Sequence, residues 1–319
     1  LPVPHFNRPY YESCDLLMGI SKQSTNISEM VLGQNKFVKL TDKTPKDAIS
    51  STLPKTCYIP HGVSDTIYQP FSRSIGIVQE MRKRLFKDAD PKFVLLHNNR
   101  NMHRKMQSDV IVAYKMFCEL LEPEELEDTR LVMHCTPVDQ NGTDLHQVID
   151  ALCPELKDYI VFSSGQLSPT NMNALYNACD VVINVASNEG WGLSNTEAMM
   201  TGKMTITNVT GGLQDQMRFI DEKDNWLDFD FNFTSNHAGP YKRHGCWAIP
   251  VWPSSINLQG SLPTPYIFDD RVSIPSIKDA IMDAYLLDAK TRAAYGLEGR
   301  KWLRGEEAKM TATHMSDTL

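Results

Sequence analysis

The chain is predicted to be α/β, a doubly wound domain built on a parallel sheet, and three observations predict it. Short apolar runs recur from Lys92 onward. Between them lie stretches with apolar residues at helical spacing. Strand and helix therefore alternate, which in a compact domain gives a parallel sheet covered on both faces. The third observation is punctuation: Ser168-Pro-Thr-Asn is a helix start, with a capping serine and a proline at the first helical position. Ligands of such sheets sit beyond the carboxyl ends of the strands.

The elements follow in order. Cys14 to Ile20 reads as a strand, Lys22 to Leu32 as a helix, and Thr56 to Val63 as a strand leading into a turn. This is too little for an α/β domain of its own, so residues 1–75 are expected to be the tail of a first domain and a linker, inside a longer protein. Residues 76–287 are expected to form the main domain. Its strands are predicted at Phe93 to His97, Arg130 to Cys135, Tyr159 to Phe162, Asp180 to Ala186 and Lys203 to Thr207. Helices are predicted at Ser108 to Leu121, around Leu145 to Leu152, from Ser168, and from about Ser194 to Gly202. Residues 221–275 lose all periodicity and are rich in Asn, Pro, Gly and aromatics, including Trp226, Trp247, Trp252 and Tyr266. They are expected to be an irregular insertion, packed over the sheet or bordering a cleft. Helical spacing returns at Ile277 to Leu287 and Ala289 to Leu303, the latter within a C-terminal helical segment, 288–319.

Composition narrows the partners. The 319 residues carry a net charge of -7 with no long Lys/Arg run, which excludes nucleic acid as the expected ligand. No apolar run approaches the roughly 18 residues of a membrane span. The seven cysteines are an odd number, scattered, with no CxxC pair. Reduced thiols and a cytoplasmic setting are expected, and a thiolate metal site is not.

The chemistry concentrates in Ser187-Asn-Glu-Gly-Trp-Gly-Leu-Ser-Asn-Thr-Glu-Ala-Met-Met-Thr-Gly-Lys203, directly after a predicted strand. Gly190 and Gly192 permit a close backbone approach. The helix starting near Ser194 aims its free N–H groups and positive end at the same crevice. A diphosphate could rest on Gly192, Leu193 and Ser194, with Glu189 on one side and Glu197 on the other. Carboxylates repel phosphate, but they accept sugar hydroxyls in pairs. Two of them astride a diphosphate suit a nucleotide-sugar. Cations would come from the loop after the first strand, His97-Asn-Asn-Arg-Asn-Met-His-Arg-Lys-Met106, where Arg100 can fork onto phosphate and Lys105 supplies a point charge.

These residues resemble a known family. Asn188 to Lys203 is similar to the E-x7-E signature of retaining family-4 glycosyltransferases, E-G-F/W-G-L-x-x-x-E-A-M-A-x-G. Cys14 to Lys22 resembles the strand and Ser-Lys step before that family's domain crossover, and Tyr58 to Phe71 its I-P-N-G-V-D-x-x-x-F-x-P linker, with His61 for Asn. Asn98 to Lys105 resembles its G-R-x-x-x-x-K loop, with Asn99 for Gly, and Thr210 to Gln216 its G-G-x-x-[DE] turn. The resemblance implies a GT-B architecture, in which a Rossmann-like donor domain faces a first Rossmann-like domain. It implies donor binding by Arg100, Lys105, Glu189, Gly190, Trp191, Gly192, Leu193, Ser194 and Glu197. Arg100 and Lys105 would stabilise the leaving diphosphate, Glu189 would place the transferred sugar, and Glu197 would bind ribose hydroxyls. It further implies retaining, hexosyl-type transfer to a glycan, lipid or protein acceptor, with no metal and no cofactor. Two alternatives stand beside it: a non-catalytic nucleotide-sugar-binding module, and a GT-B sugar-nucleotide epimerase or phosphorylase.

Overall fold

The computed structural model describes residues 4–32, 55–227, 235–236, 241–260 and 267–318. Tyr266 and parts of the two segments 1–75 and 221–275 lie outside the described residues.

The chain opens with α1 (Pro4–Tyr11), β1 (Leu16–Gly19), α2 (Lys22–Leu32) and β2 (Lys55–Tyr58). β1 and β2 pair in parallel, and α2 packs on both. β2 ends two residues before Pro60, earlier than the predicted strand, as a residue without an N–H dictates.

The larger body follows: α3 (Gly76–Phe86), β3 (Phe93–Asn98), α4 (Gln107–Cys118), α5 (Pro123–Glu127), β4 (Thr129–His134), α6 (Leu145–Leu152), β5 (Ile160–Ser163), α7 (Pro169–Ala178), β6 (Val181–Asn184), α8 (Leu193–Met200) and β7 (Met204–Asn208). Then come β8 (Ala248–Val251), β9 (Ser255–Gln259), β10 (Ile267–Arg271), α9 (Ile274–Leu286), α10 (Ala289–Leu303) and α11 (Ala312–Thr318). Six strands form one all-parallel sheet in the order β5-β4-β3-β6-β7-β8. The α/β class with a parallel central sheet is as predicted. The order reverses between β3 and β6, and a crevice opens at the carboxyl ends there.

Alternation along each strand fills the two faces. Phe93 and Leu95 of β3 join Tyr114 and Phe117 of α4 and Ile277 and Ile281 of α9 in one core cluster. Val94 and Leu96 face the other way, into Val78 and Leu85 of α3 and Leu175 of α7. Continuous apolar runs such as Val181-Val-Ile183 are what a strand covered on both faces requires.

The segment 221–275 is not irregular throughout. It supplies β8, the last strand of the main sheet, and the antiparallel β9–β10 hairpin. β8 eluded sequence reading because it is short and contains Pro250, which a strand tolerates only at a sheet edge. β9 is exposed along its whole length and so has no apolar face to detect. No helix among the described residues is long and apolar enough to cross a membrane. All seven cysteines are unpaired, and burial pushes the Cys118, Cys135 and Cys179 thiols up to about 12.

Candidate functional site

The crevice is built by three loops, after β3, after β6 and after β7. The first turns sharply through His103 to Lys105, and Met106 takes a left-handed conformation (φ 59°) before α4 begins. That turn points Arg104 and Lys105 back over the sheet edge, where both meet Glu189. Lys105 Nζ donates to Glu189 Oε1 and, at 2.8 Å, to Asn99 Oδ1. Arg104 donates to Glu189 Oε2 at 3.0 Å and to the Asn188 carbonyl at 2.8 Å. Burial holds the Lys105 ammonium below its usual range, and Glu189 opposes the shift. A nine-tenths buried carboxylate is thus neutralised by two cations.

Glu189 is located by close backbone packing. A Cβ on Gly211 would stand 2.0 Å from the Glu189 carbonyl oxygen, and one on Gly212 2.3 Å from that of Gly190. The Gly212 N–H donates to the Glu189 carbonyl at 3.0 Å. The paired glycines after β7 thus press the Glu189 turn from behind. Three residues after Gly212, Asp215 accepts the backbone N–H of Lys22 at 2.8 Å, which caps α2 and joins the small parallel sheet to this edge. Gln23 and Ile27 of α2 share a cleft of about 150 Å³ with Glu189, Gly190 and Gly211.

Gly192 takes φ 90° as the residue before α8, and the first turn of that helix faces the crevice. Gly190 and Leu193 are exposed there and Ser194 is half-buried. Trp191 has a different place. It is 3% exposed, inside a core cluster, and its ring N–H donates to Thr196 Oγ1 at 2.8 Å. Glu197 sits one turn further along α8 and accepts the hydroxyls of Tyr176 at 2.7 Å and Tyr68 at 2.8 Å, one on each oxygen. Burial raises its carboxyl above the ordinary range, and the two phenols oppose this.

Of the residues proposed from sequence, the structure brings Lys105, Glu189, Gly190, Gly192, Leu193, Ser194 and Glu197 to one edge. Arg100 does not join them: its exposed side chain pairs with Asp139, Nε to Oδ2 at 2.9 Å. Sequence reading missed Arg104, Tyr68 and Tyr176. Arg104 was visible as the neighbour of Lys105, but only the tight turn shows that it points inward. The tyrosines lie 129 and 21 residues from Glu197, and nothing in their spacing announces the contact.

Residues 78–221 match the family model for glycosyl transferases group 1. No curated protein matches. Among solved structures, HepE of Anabaena, crystallised with UDP and glucose, is similar at TM-score 0.64 and 14% identity over 99% of this chain and 66% of that one. A glycosyltransferase from Rickettsia africae gives TM-score 0.64 and 12% identity over 100% and 66%. Sucrose-phosphate synthase from Thermosynechococcus elongatus gives 0.62 and 16% over 99% and 59%. The chain thus spans less than two thirds of the length of these chains. At such identities the likeness is one of fold: the fold is that of GT-B glycosyltransferases, and the stretch holding β3 to α8 is similar to the group 1 family.

Proposed function

We propose that the chain is the donor-binding part of a retaining glycosyltransferase that takes its sugar from a nucleotide-sugar. The observation that carries this reading is the convergence of Lys105 and Arg104 on Glu189, in the turn that leads into α8 at the carboxyl edge of a parallel sheet, with Glu197 on that helix. Residues 1–75 are then the end of the acceptor-side domain and linker, 76–287 the donor domain and 288–319 the closing helical segment.

In this reading an incoming diphosphate exchanges with Glu189 as the partner of Lys105 and Arg104. The freed carboxylate accepts hydroxyls of the transferred sugar, for which the small cleft against α2 has room. Arg100, on a flexible exposed side chain, leaves Asp139 to close over the phosphates. Glu197, its carboxylate oriented by two phenols, accepts the ribose hydroxyls. When the bond between the sugar and the diphosphate breaks, negative charge grows on the departing phosphate oxygen. The two cations and the helix end stabilise it without a metal ion or cofactor. The unpaired cysteines fit a cytoplasmic enzyme.

A thermal-shift panel of UDP-, GDP- and ADP-sugars tests the reading. One class should stabilise the protein in a concentration-dependent way. No shift with any of them, at millimolar ligand, would remove the proposal.

A further inference from the structure

A second opening, of about 740 Å³, lies beside the candidate donor site, and Arg104 and Asn188 form the wall between the two. Its other walls come from the start of α4, the loop after β4 and the β9–β10 hairpin. Its size is that of a small-molecule or oligosaccharide site rather than a packing defect.

Three properties narrow the occupant. Charges of both signs line it, Arg104 and Arg271 with Asp109 and Asp269, which favours neither an anion nor a cation. Amides are frequent, and the side chains of Gln140 and Asn188 make no hydrogen bond among the described residues. Finally, Asp109 and Arg271 stand 3.9 Å apart, too far for a direct hydrogen bond. Among the described residues the Arg271 side chain otherwise donates only to the Met106 sulfur at 3.8 Å, and Asp109 accepts no hydrogen bond. Burial holds the Asp109 carboxyl above its usual range, with Arg271 opposing.

A carboxylate acceptor and a guanidinium donor at that separation suit a hydroxyl, which donates to one and accepts from the other. Amides extend the same pattern, since each offers a donor and an acceptor to a neighbouring hydroxyl. We propose that this groove binds a neutral glycan, with Asp109 and Arg271 sharing one sugar hydroxyl and the amides of Gln140 and Asn188 meeting others. That the glycan is the acceptor of transfer rests on the function proposed above; that a glycan binds here does not. The hairpin within 221–275 is then a wall of the binding groove.

The test uses the full chain on an array of neutral malto-, cello-, manno-, xylo- and N-acetylglucosamine oligosaccharides, followed by calorimetry with the best-retained one. Wild type should retain at least one series. Asp109→Asn and Arg271→Ala should each weaken it about tenfold or more, while any thermal shift given by a nucleotide-sugar stays the same. Retention of no series, or affinities within about twofold of wild type in both variants, would overturn the proposal. Glycan binding without any nucleotide-sugar response would leave the groove standing and remove the donor reading instead.

Discussion

Glu197 and His97 show how far a single side chain's surroundings define it. Both oxygens of Glu197 are held by phenols, which leaves its remaining lone pairs for ribose. Glu197→Ala should therefore cost nucleotide binding about 1 to 3 kcal/mol, read by calorimetry; an unchanged affinity would remove it from the site. His97 is fully buried at the end of β3, and burial pushes its imidazole down to about 4 from an ordinary 6.5. The unfolded chain takes up a proton below 6.5 that the folded one refuses until about 4, so stability present above 6.5 is lost as the pH falls across that window. The loss is on the order of 3 kcal/mol, and urea titrations from pH 7 to 4 should show a slope in wild type that His97→Gln flattens. At this scale the sequence was legible where local chemistry decides. Glu189 and Lys105 stand out because carboxylate, glycine turn and cation follow strands directly. Tyr68 and Tyr176 do not, because only folding brings a phenol near Glu197.

Elements were legible in proportion to their burial. The five strands from β3 to β7 lie within a residue or two of their predicted positions, because a strand covered on both faces is pressed to be apolar on both, as β3 to β6 largely are, while β7 keeps Met204 and Ile206 on alternate residues. β8 escaped because the last strand of a sheet carries a weaker version of that demand. The helix α3 carries its buried Val78, Met81 and Leu85 at the i, i+3, i+7 spacing of a one-sided helix, a signal that lies before Lys92, where the strand and helix alternation begins. The turn after β7 is rigid for a reason the sequence hinted at: only glycine fits behind the Glu189 turn. Gly212→Ala should push that turn forward, costing about 1 to 3 kcal/mol in stability and weakening nucleotide-sugar more than free nucleotide. Equal effects on the two ligands in a binding assay would show that Glu189 does not touch the sugar.

For the molecule as a whole, charge handling by protein groups alone predicts that prolonged dialysis against EDTA leaves any nucleotide-sugar thermal shift unchanged; a shift that vanished and returned with a divalent ion would contradict the metal-free reading. The end of the chain returns to its beginning. The Val63 N–H donates to Met310 at 3.3 Å, that of Ala312 to Val63 at 3.0 Å, and Arg304 pairs with Asp65 at 2.9 Å. Removing residues 309–319 should therefore lower the Tm by about 2 to 4 °C and speed proteolysis within the first 70 residues. No periodicity announces this return, because it rests on one backbone pairing between segments far apart in sequence. Its consequence is topological. The connection through residues 64–75 is bridged by a second, non-covalent one through residues 310–312, so a protease nick after Arg73 would cut the polypeptide without freeing the small parallel sheet, and the two pieces would migrate together until denatured.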